Sequence, residues 1–356
     1  MKRLIIDKQA VRNNLAAVRE RTGEAILYAV LTGDAYGAGL VETAKLLAEA
    51  GVTRFAISEP EEARALRKAG FSEEEILMLR STVNRDELET LVDLNVICSI
   101  GSSEAGMALN SLAESRSTVV EAHVQVDCGI GYGGLVISEP DRIVSIFRNL
   151  PNVAISGIYT QFQSSGTSRK AMTAQLEEFH QIVRQVQQAG FETGIVHAAG
   201  SFSAIHHDFS RMDGVRVGSA LLGRCKREKD DGLQRVGFCE ATIEDIRWLP
   251  AGHTIGYEHP IRLRKPVRAA TLAVGYQNGL GVTRPRPMGI FQAIRRGKKG
   301  ELPAVRVKGQ KAKILGRIGA METLVDVTGL KCAAGDLVQI EIDPLYAKGM
   351  PKEFRA

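Results

Sequence analysis

The stretch Tyr28-Ala-Val-Leu-Thr-Gly-Asp-Ala-Tyr-Gly-Ala-Gly39 joins an apolar run to three closely spaced glycines. The run over residues 25–31 is typical of a fully buried strand. The glycines predict a tight turn whose backbone can approach a ligand closely. After them, Leu40, Ala44 and Leu47 recur at helical spacing. The stretch therefore predicts a strand, a glycine turn and a helix, with the hydroxyl of Tyr36 added inside the turn.

The same alternation of strand and helix continues through the first two thirds of the chain. Eight runs predict strands, at residues 25–31, 54–58, 76–79, 96–100, 119–126, 154–160, 195–199 and 214–217. Alternation of this kind specifies a parallel sheet, and eight units are the number that closes a (β/α)8 barrel. We therefore expect an α/β protein with a (β/α)8 TIM-type barrel.

Near residue 232 the pattern changes to short runs separated by turn signals such as Ala334-Gly335-Asp336. Short, evenly spaced runs of this kind are typical of a mostly β domain. We expect the barrel to span residues 8–232 and a C-terminal β domain to span residues 233–356, which the opening strand within residues 1–7 joins.

Composition and charge narrow the classes of function. A net charge of +5 over 356 residues is weakly basic and does not by itself indicate a nucleic-acid partner, which we do not expect. The basic cluster at residues 295–299 has no interleaved aromatic residues, which favours a solvated hairpin loop over a nucleic-acid surface.

The five cysteines are scattered without a C-x-x-C pair, which argues against a disulfide framework or a metal site. Reduced cysteines are typical of a cytoplasmic protein. The N-terminus has no apolar stretch of signal-peptide length, and no run approaches the roughly 18 apolar residues of a membrane span. We therefore expect a cytoplasmic protein without a membrane segment.

Chemistry-bearing residues follow five of the predicted strands. They are Thr32, Asp34 and Tyr36, then Asp127, Cys128 and Tyr132, then Gln161 and Gln163, then His197 and Ser201, and finally Arg216, Gly218 and Ser219. Ligands of a (β/α)8 barrel bind at these strand ends. Hydroxyls and backbone amides suit a phosphate, and arginine suits a carboxylate or a ring nitrogen. Each residue alone is explained equally by packing or surface pairing, but together they predict a small phosphorylated aromatic ligand.

The order and content of several motifs resemble the alanine racemases, the fold-type III pyridoxal-phosphate enzymes. The opening stretch is similar to the family's A-V-V-K-A-D-A-Y-G-H-G, and residues 125–134 (Q-V-D-C-G-I-G-Y-G-G) to its K-V-D-T-G-M-G-R-L-G. Residues 197–201, 215–219 and 275–279 are similar to H-x-A-N-S, V-R-x-G-I and G-Y-A-D-G. The resemblance implies a pyridoxal-phosphate site and a homodimer in which a tyrosine of one subunit enters the other's barrel.

The resemblance also implies individual roles. Cofactor-binding positions are matched by Tyr36, His197, Ser201, Arg216, Gly218 and Ser219, and the catalytic tyrosine by Tyr276. The reactive side departs from the family. Thr32 stands where the family has its Schiff-base lysine. Four further substrate-side positions also differ, namely Gln125 for a lysine, Tyr132 for an arginine, Gln161 for a histidine and Ala320 for a methionine.

Two hypotheses follow from these departures. The first is a degenerate homologue that binds a phosphorylated ligand or pyridoxal phosphate non-covalently and does not racemise by the family route. The alternative is an active amino-acid racemase or related enzyme with altered catalytic groups, for which Lys348 is a candidate substitute amine. The first is favoured, because the five changes fall together on the reactive side. Among them, a threonine hydroxyl can serve neither as a base near neutral pH nor as the covalent link to the cofactor.

Overall fold

The computed structural model describes residues 1–162, 169–225, 232–256, 260–283 and 302–356. The chain forms two compact units. One consists of residues 9–235 and the other of residues 1–8 together with 236–356. The basic cluster at residues 295–299 and Gln163 lie outside the described residues.

The first unit is a parallel barrel. After β1 (Lys2–Asp7), which belongs to the other unit, its strands are β2 (Ile26–Val30), β3 (Arg54–Ile57), β4 (Glu75–Met78), β5 (Cys98–Ile100), β6 (Val120–Asp127), the short β7 (Leu135–Val136), β8 (Val153–Tyr159), β9 (Ile195–Gly200) and β10 (Gly214–Val217). The order is β4-β3-β2-β10-β9-β8-β6-β5, with β7 beside β6. A parallel bridge between Leu77 and Ile97 joins the two end strands. The predicted (β/α)8 barrel is therefore confirmed.

Helices fill the connections between the barrel strands. They are α1 (Lys8–Thr22), α2 (Leu40–Glu49), α3 (Pro60–Lys68), α4 (Arg85–Asp93), α5 (Ser103–Ser115), α6 (Pro140–Asn149), α7 (Arg169–Gln188) and α8 (Ser201–His206), followed by a 3-10 turn (Asp208–Ser210). Their apolar faces are buried, as the spacing of Val11, Leu15 and Val18 in α1 illustrates. Apolar side chains of β2, β3 and β4, including Val30, also form a buried core cluster with Ile97, which directly precedes β5.

The connection after β2 is a left-handed turn (Thr32–Tyr36), which the sequence pattern did not predict. Gly33, Asp34, Ala35 and Tyr36 have φ values of 64°, 58°, 51° and 53°. Three of these residues are not glycine, and each pays roughly 1–2 kcal/mol for this conformation. The Leu40 N–H donates to Asp34 Oδ1 (2.7 Å), which ties the turn to the start of α2. The turn directs Tyr36 back towards the strand ends.

The second unit is mostly antiparallel. Its strands are β1, β11 (Gly237–Leu249), β12 (Thr254–Ile255), β13 (Ile261–Arg262), β14 (Val267–Leu272), β15 (Val305–Val307), β16 (Gln310–Ile314), β17 (Thr323–Asp326), β18 (Leu337–Ile340) and β19 (Lys352–Arg355), with 3-10 turns at Tyr276–Asn278 and Pro344–Tyr346. Eight of them form one sheet in the order β14-β17-β16-β15-β18-β11-β1-β19, and the long β11 also pairs with β14. The second, mostly β unit is therefore built from both ends of the chain.

Candidate functional site

Tyr36, Ser201 and Gly218 meet beside the C-terminal end of β10, and we call this group the phosphate cup. Ser201 Oγ accepts hydrogen bonds from the backbone N–H of Gly218 (3.0 Å) and of Ala220 (3.2 Å). The Tyr36 ring lies so close to Gly218 that a Cβ there would be 2.7 Å from ring Cε2 and 2.8 Å from the hydroxyl. Only glycine permits this approach, so the sequence concentrates two hydroxyls and backbone amides at one strand end.

Burial raises the pKa of the Tyr36 hydroxyl, while its hydrogen bond with Thr32 and the charge of Arg224 act in the opposite direction. The Arg224 guanidinium lies 5.6 Å from the centre of the Tyr36 ring. Tyr36 is therefore a neutral hydrogen-bond donor with a cation nearby, a combination that suits an anionic group.

Arg216 is buried on β10 and holds several neutral acceptors together. Its Nη1–H groups donate to His197 Nδ1 (2.8 Å) and to the His197 carbonyl (3.2 Å). Its Nη2–H groups donate to the carbonyl of Thr160 (2.6 Å) and to Gln161 Oε1 (2.7 Å). The guanidinium also lies 4.8 Å from the centre of the Tyr159 ring. Burial lowers the pKa of Arg216 to about 10, so the group stays charged at neutral pH.

The hydrogen bond from Arg216 fixes the protonation of two buried histidines. An arginine only donates, so His197 Nδ1 must accept and His197 must carry its proton on Nε2. That nitrogen lies 2.9 Å from His123 Nδ1, which must then accept as well. Burial lowers the pKa of His123 to about 3 and that of His197 well below its usual value, with the Arg216 charge adding to both shifts. Both imidazoles are therefore neutral.

The ring of His197 is stacked between two tyrosines rather than facing open space. Its centre lies 5.3 Å from that of Tyr28 and 5.0 Å from that of Tyr159. The predicted cofactor contact of His197 stays a prediction. The geometry gives this histidine a defined effect, which is to hold Arg216 in position.

A cavity of about 360 Å³ opens at the same end of the barrel. Its lining residues are Thr32, Ser58, Leu79, Arg80, Ser81, Gln125, Tyr132 and Gly133. The cavity thus brings together three of the predicted catalytic or substrate-side residues, namely Thr32, Gln125 and Tyr132. Because Thr32 and Tyr36 are the first and last residues of the same five-residue turn, the cavity adjoins the phosphate cup.

The loop after β6 carries Tyr132 on a fixed backbone. Asp127 Oδ1 accepts hydrogen bonds from the N–H groups of Gly129 (2.9 Å), Ile130 (2.9 Å) and Gly131 (3.1 Å). Tyr132 itself is 89% exposed although it lines the cavity. The tyrosine therefore stands at the mouth of the cavity, with its position set by the Asp127 carboxylate.

The remaining predicted substrate-side residues lie elsewhere. Gln161 does not line the cavity, since its amide oxygen accepts from Arg216 and a Cβ on Gly200 would be 2.8 Å from its Nε2. Ser219 lies next to Gly218 and is partly exposed. Tyr276 and Ala320 belong to the second unit, where the N–H of Gln277 donates to the Ala320 carbonyl (3.0 Å).

Lys348 also lies in the second unit, close to the Tyr276 turn. Its N–H donates to the carbonyl of Asn278 (3.2 Å), and Asn278 Nδ2 donates to the Lys348 carbonyl (3.1 Å). The lysine side chain is exposed. The backbone of Lys348 is therefore fixed to Asn278, which is two residues after Tyr276 in the same turn.

Sequence reasoning missed Arg80, His123 and Tyr159. Arg80 follows the third predicted strand almost directly, so the strand-end criterion would have selected it had it been applied there. His123 and Tyr159 lie inside strands, where a polar residue in an apolar run gives no sign of its partners.

The described ranges contain neither a metal-binding cluster nor a membrane-spanning helix. Among these residues, no group of three or more His, Cys, Asp or Glu side chains is arranged to hold a metal ion. In the same part of the chain, no helix combines the length and apolarity needed to cross a membrane.

Comparison with known proteins gives consistent matches over most of the chain. Residues 6–225 match the family model for the alanine racemase N-terminal domain, and residues 237–344 match the model for its C-terminal domain. The alanine racemase of Halothermothrix orenii is 30% identical over 329 residues, which cover 91% of this chain and 82% of that protein. The broad specificity amino-acid racemase of Vibrio vulnificus is 29% identical over 85% of this chain and 71% of that protein.

A solved structure supports the same fold. The alanine racemase of Streptomyces lavendulae superposes with a TM-score of 0.85 at 22% sequence identity, covering 100% of this chain and 97% of that one.

Proposed function

This chain belongs to the alanine racemase family, and from that premise we propose that it binds a phosphorylated ligand of the pyridoxal-phosphate class without a covalent link. In this proposal Thr32 occupies the position of the family's cofactor lysine, and the protein does not racemise amino acids by the two-base route. Its role is then binding or regulation, or that of a partner subunit.

One observation carries the proposal. The phosphate cup is assembled, while the adjoining cavity, as far as the described residues define it, is lined by no lysine. A lysine in that cavity is what a covalently attached cofactor requires, because only an amine condenses with the cofactor's aldehyde. Thr32, which lies in the same turn as Tyr36, has only a hydroxyl.

The residues present fit pyridoxal phosphate. Tyr36 and Ser201 hydroxyls and the backbone at Gly218 would hold the phosphate. Arg216 donates hydrogen bonds to the described residues through Nη1 and Nη2 only. Its Nε–H would therefore be available to donate to the unprotonated pyridine nitrogen of the cofactor. When bound, this cofactor supplies an electron-withdrawing ring that makes a neighbouring C–H acidic.

The acid–base groups argue against family-type racemisation. Inverting a carbon centre needs a base on one face and an acid on the other. Tyr276 is the predicted group for one face, and the threonine hydroxyl at position 32 cannot remove a proton near neutral pH. Loss of such a catalytic group costs roughly 10³-fold or more in rate.

The test is a titration of the wild type and of Thr32→Lys with pyridoxal phosphate, followed by borohydride reduction and peptide mass spectrometry. We expect saturable binding by both, with a reducible covalent link only in Thr32→Lys and only at residue 32. We also expect alanine racemisation by the wild type to be negligible.

Ser201→Ala serves as the control, because it removes a predicted phosphate ligand without touching the reactive side. It should weaken binding of the cofactor in both backgrounds. Racemisation by the wild type at a rate equal to that of Thr32→Lys would contradict the proposal, and so would saturable binding that survives Ser201→Ala unchanged.

The position of Lys348 favours a second candidate, an active racemase or related enzyme with a relocated lysine. The backbone of Lys348 is bonded to the turn that carries Tyr276. Under this alternative, borohydride would fix the cofactor to Lys348 in the wild type. Lys348→Ala would then abolish both the covalent link and any racemase activity.

We further propose that the chain forms a homodimer, as the family resemblance implies. The support within the second unit is the exposure of two apolar side chains, Tyr276 and Met321, each 51% exposed. Exposed apolar side chains that lie near each other are typical of interaction surfaces.

A further inference from the structure

The cavity beside Thr32 is lined by a positively charged side chain, Arg80. Neither the family motifs nor the similar proteins give this arginine a role. Of the eight described residues that line the cavity, Arg80 is the only charged one. Five others (Thr32, Ser58, Ser81, Gln125 and Tyr132) carry hydroxyl or amide groups. The lining is therefore rich in hydrogen-bond donors and lacks a carboxylate, a composition that suits an anionic acceptor.

Arg80 is held in one orientation by its neighbours. Its Nε–H donates to the Ser58 carbonyl (3.1 Å), and Nη2 donates to Glu59 Oε2 (3.0 Å). Glu87 accepts from both Nη1 and Nη2 at 3.0 Å. These bonds use four of the five N–H groups of the guanidinium. One Nη1–H remains for a ligand within the cavity.

The two glutamates differ in how firmly they neutralise this cation. Glu87 makes a two-point contact and its side chain is 29% exposed, whereas Glu59 makes one bond and its side chain is 54% exposed. Exposed ion pairs are weak because water and salt screen them. A ligand carboxylate can therefore compete with Glu59, while Glu87 keeps the guanidinium in place.

We propose that Arg80 binds the carboxylate of a ligand whose phosphate lies in the cup and whose acidic end extends into the cavity. The proposal rests on the proposed function, since it needs a phosphorylated ligand in the cup. The ligand class is an amine-linked pyridoxyl phosphate that carries a carboxylate, such as an amino-acid adduct. In effect, the positive charge absent at Tyr132 is supplied from the end of β4, across the same cavity.

A matched pair of stable ligands tests this assignment. Phosphopyridoxyl-alanine and phosphopyridoxyl-ethylamine, the reduced adducts of the two amines, differ only by the carboxylate. We expect the wild type to bind the alanine adduct about tenfold more tightly or better, the scale of one hydrogen bond to a charged group. Binding is measured by isothermal titration calorimetry.

Three variants are expected to change the preference for the alanine adduct in different directions. Arg80→Met should bring the two affinities together while leaving that for the ethylamine adduct unchanged, and Arg80→Lys should restore part of the preference. Glu59→Gln should increase the preference, because it removes a competing negative charge. Arg85→Met is the matched control, since Arg85 is 73% exposed, pairs with Glu89 and does not line the cavity.

The outcomes separate the two proposals. If neither adduct binds, the proposed function fails and this inference fails with it. If both bind equally to the wild type, or if Arg80→Met keeps the preference, only the assignment of Arg80 is overturned. Thermal unfolding of each variant identifies loss of fold, and Arg80→Lys and Glu59→Gln still decide the question if Arg80→Met is unstable.

Discussion

At the scale of the residue, the chemistry of the barrel depends on hydrogen bonds whose direction is fixed by one arginine. Arg216 can only donate, so His197 accepts at Nδ1 and in turn donates from Nε2 to His123 Nδ1. Among the described residues, His123 Nε2 has no hydrogen-bond partner, so the chain of bonds ends there. A buried positive charge is thus held without any carboxylate among its described partners.

The neutral histidines predict a dependence of stability on pH. The folded pKa of His123 is about 3, against 6.5 for an ordinary histidine, so the unfolded chain binds this proton first as pH falls. The stability that His123 contributes is complete above pH 6.5 and is lost as pH falls towards 3. The expected slope is about 1.4 kcal/mol per pH unit for each histidine.

The measurement is urea denaturation between pH 7 and about pH 4, comparing the wild type with His123→Asn. Asparagine keeps an acceptor near the position of Nδ1 but does not titrate. The slope of unfolding free energy against pH should therefore fall by about 1.4 kcal/mol per pH unit, the contribution of one proton. Equal slopes in the two proteins would contradict a neutral His123.

At the scale of the element, neighbouring barrel strands fit together at one position where a histidine faces a glycine. His123 on β6 is in register with Gly157 on β8. A Cβ at Gly157 would lie 2.6 Å from the imidazole Cε1, so the ring occupies the space of the missing side chain. The glycine on one strand therefore makes room for the buried histidine on the next.

Gly157→Ala should therefore destabilise the barrel by about 1–3 kcal/mol, the usual range for overpacking a core. The same change in a His123→Ala background should cost much less, because the ring is gone. Both free energies of unfolding come from urea denaturation. An additive double-mutant cycle would mean that the two residues are not in contact.

At the scale of the whole molecule, the chain folds into two units of which the second is made from both termini. Residues 1–8 belong with residues 236–356, and β1 lies between β11 and β19 in the sheet. Tyr276 and Met321 lie on this unit near a pair of hydrogen-bonded turns, where the Tyr276 N–H donates to the Gly319 carbonyl (2.9 Å). This exposed pair is the surface on which we expect a second copy.

We predict that the wild type sediments as a dimer of its 38.6 kDa chain and that Met321→Glu shifts it towards the monomer. A charge placed in an apolar interface must lose its hydration, which is costly. Met107→Glu is the matched control, since Met107 is 58% exposed on α5 of the barrel. A monomeric wild type, or equal dissociation of both variants, would contradict the prediction.

The sequence by itself determined the barrel, its eight strands and most of the cup. Strand and helix periodicity is local, and the ends of parallel strands converge whatever the details, so Tyr36, Ser201 and Gly218 could be selected from order alone. The mostly β second unit followed in the same way from its turn residues.

Only the tertiary structure decided the left-handed turn, the neutral histidines and the cavity with Arg80. Glycine at position 33 permits a positive φ, but nothing local demands it of Asp34, Ala35 and Tyr36. The state of His197 depends on an arginine from another strand, and the cavity joins residues from four connections of the barrel and from strand β6. These features arise from contacts between residues far apart in the chain, whose partners no local pattern specifies.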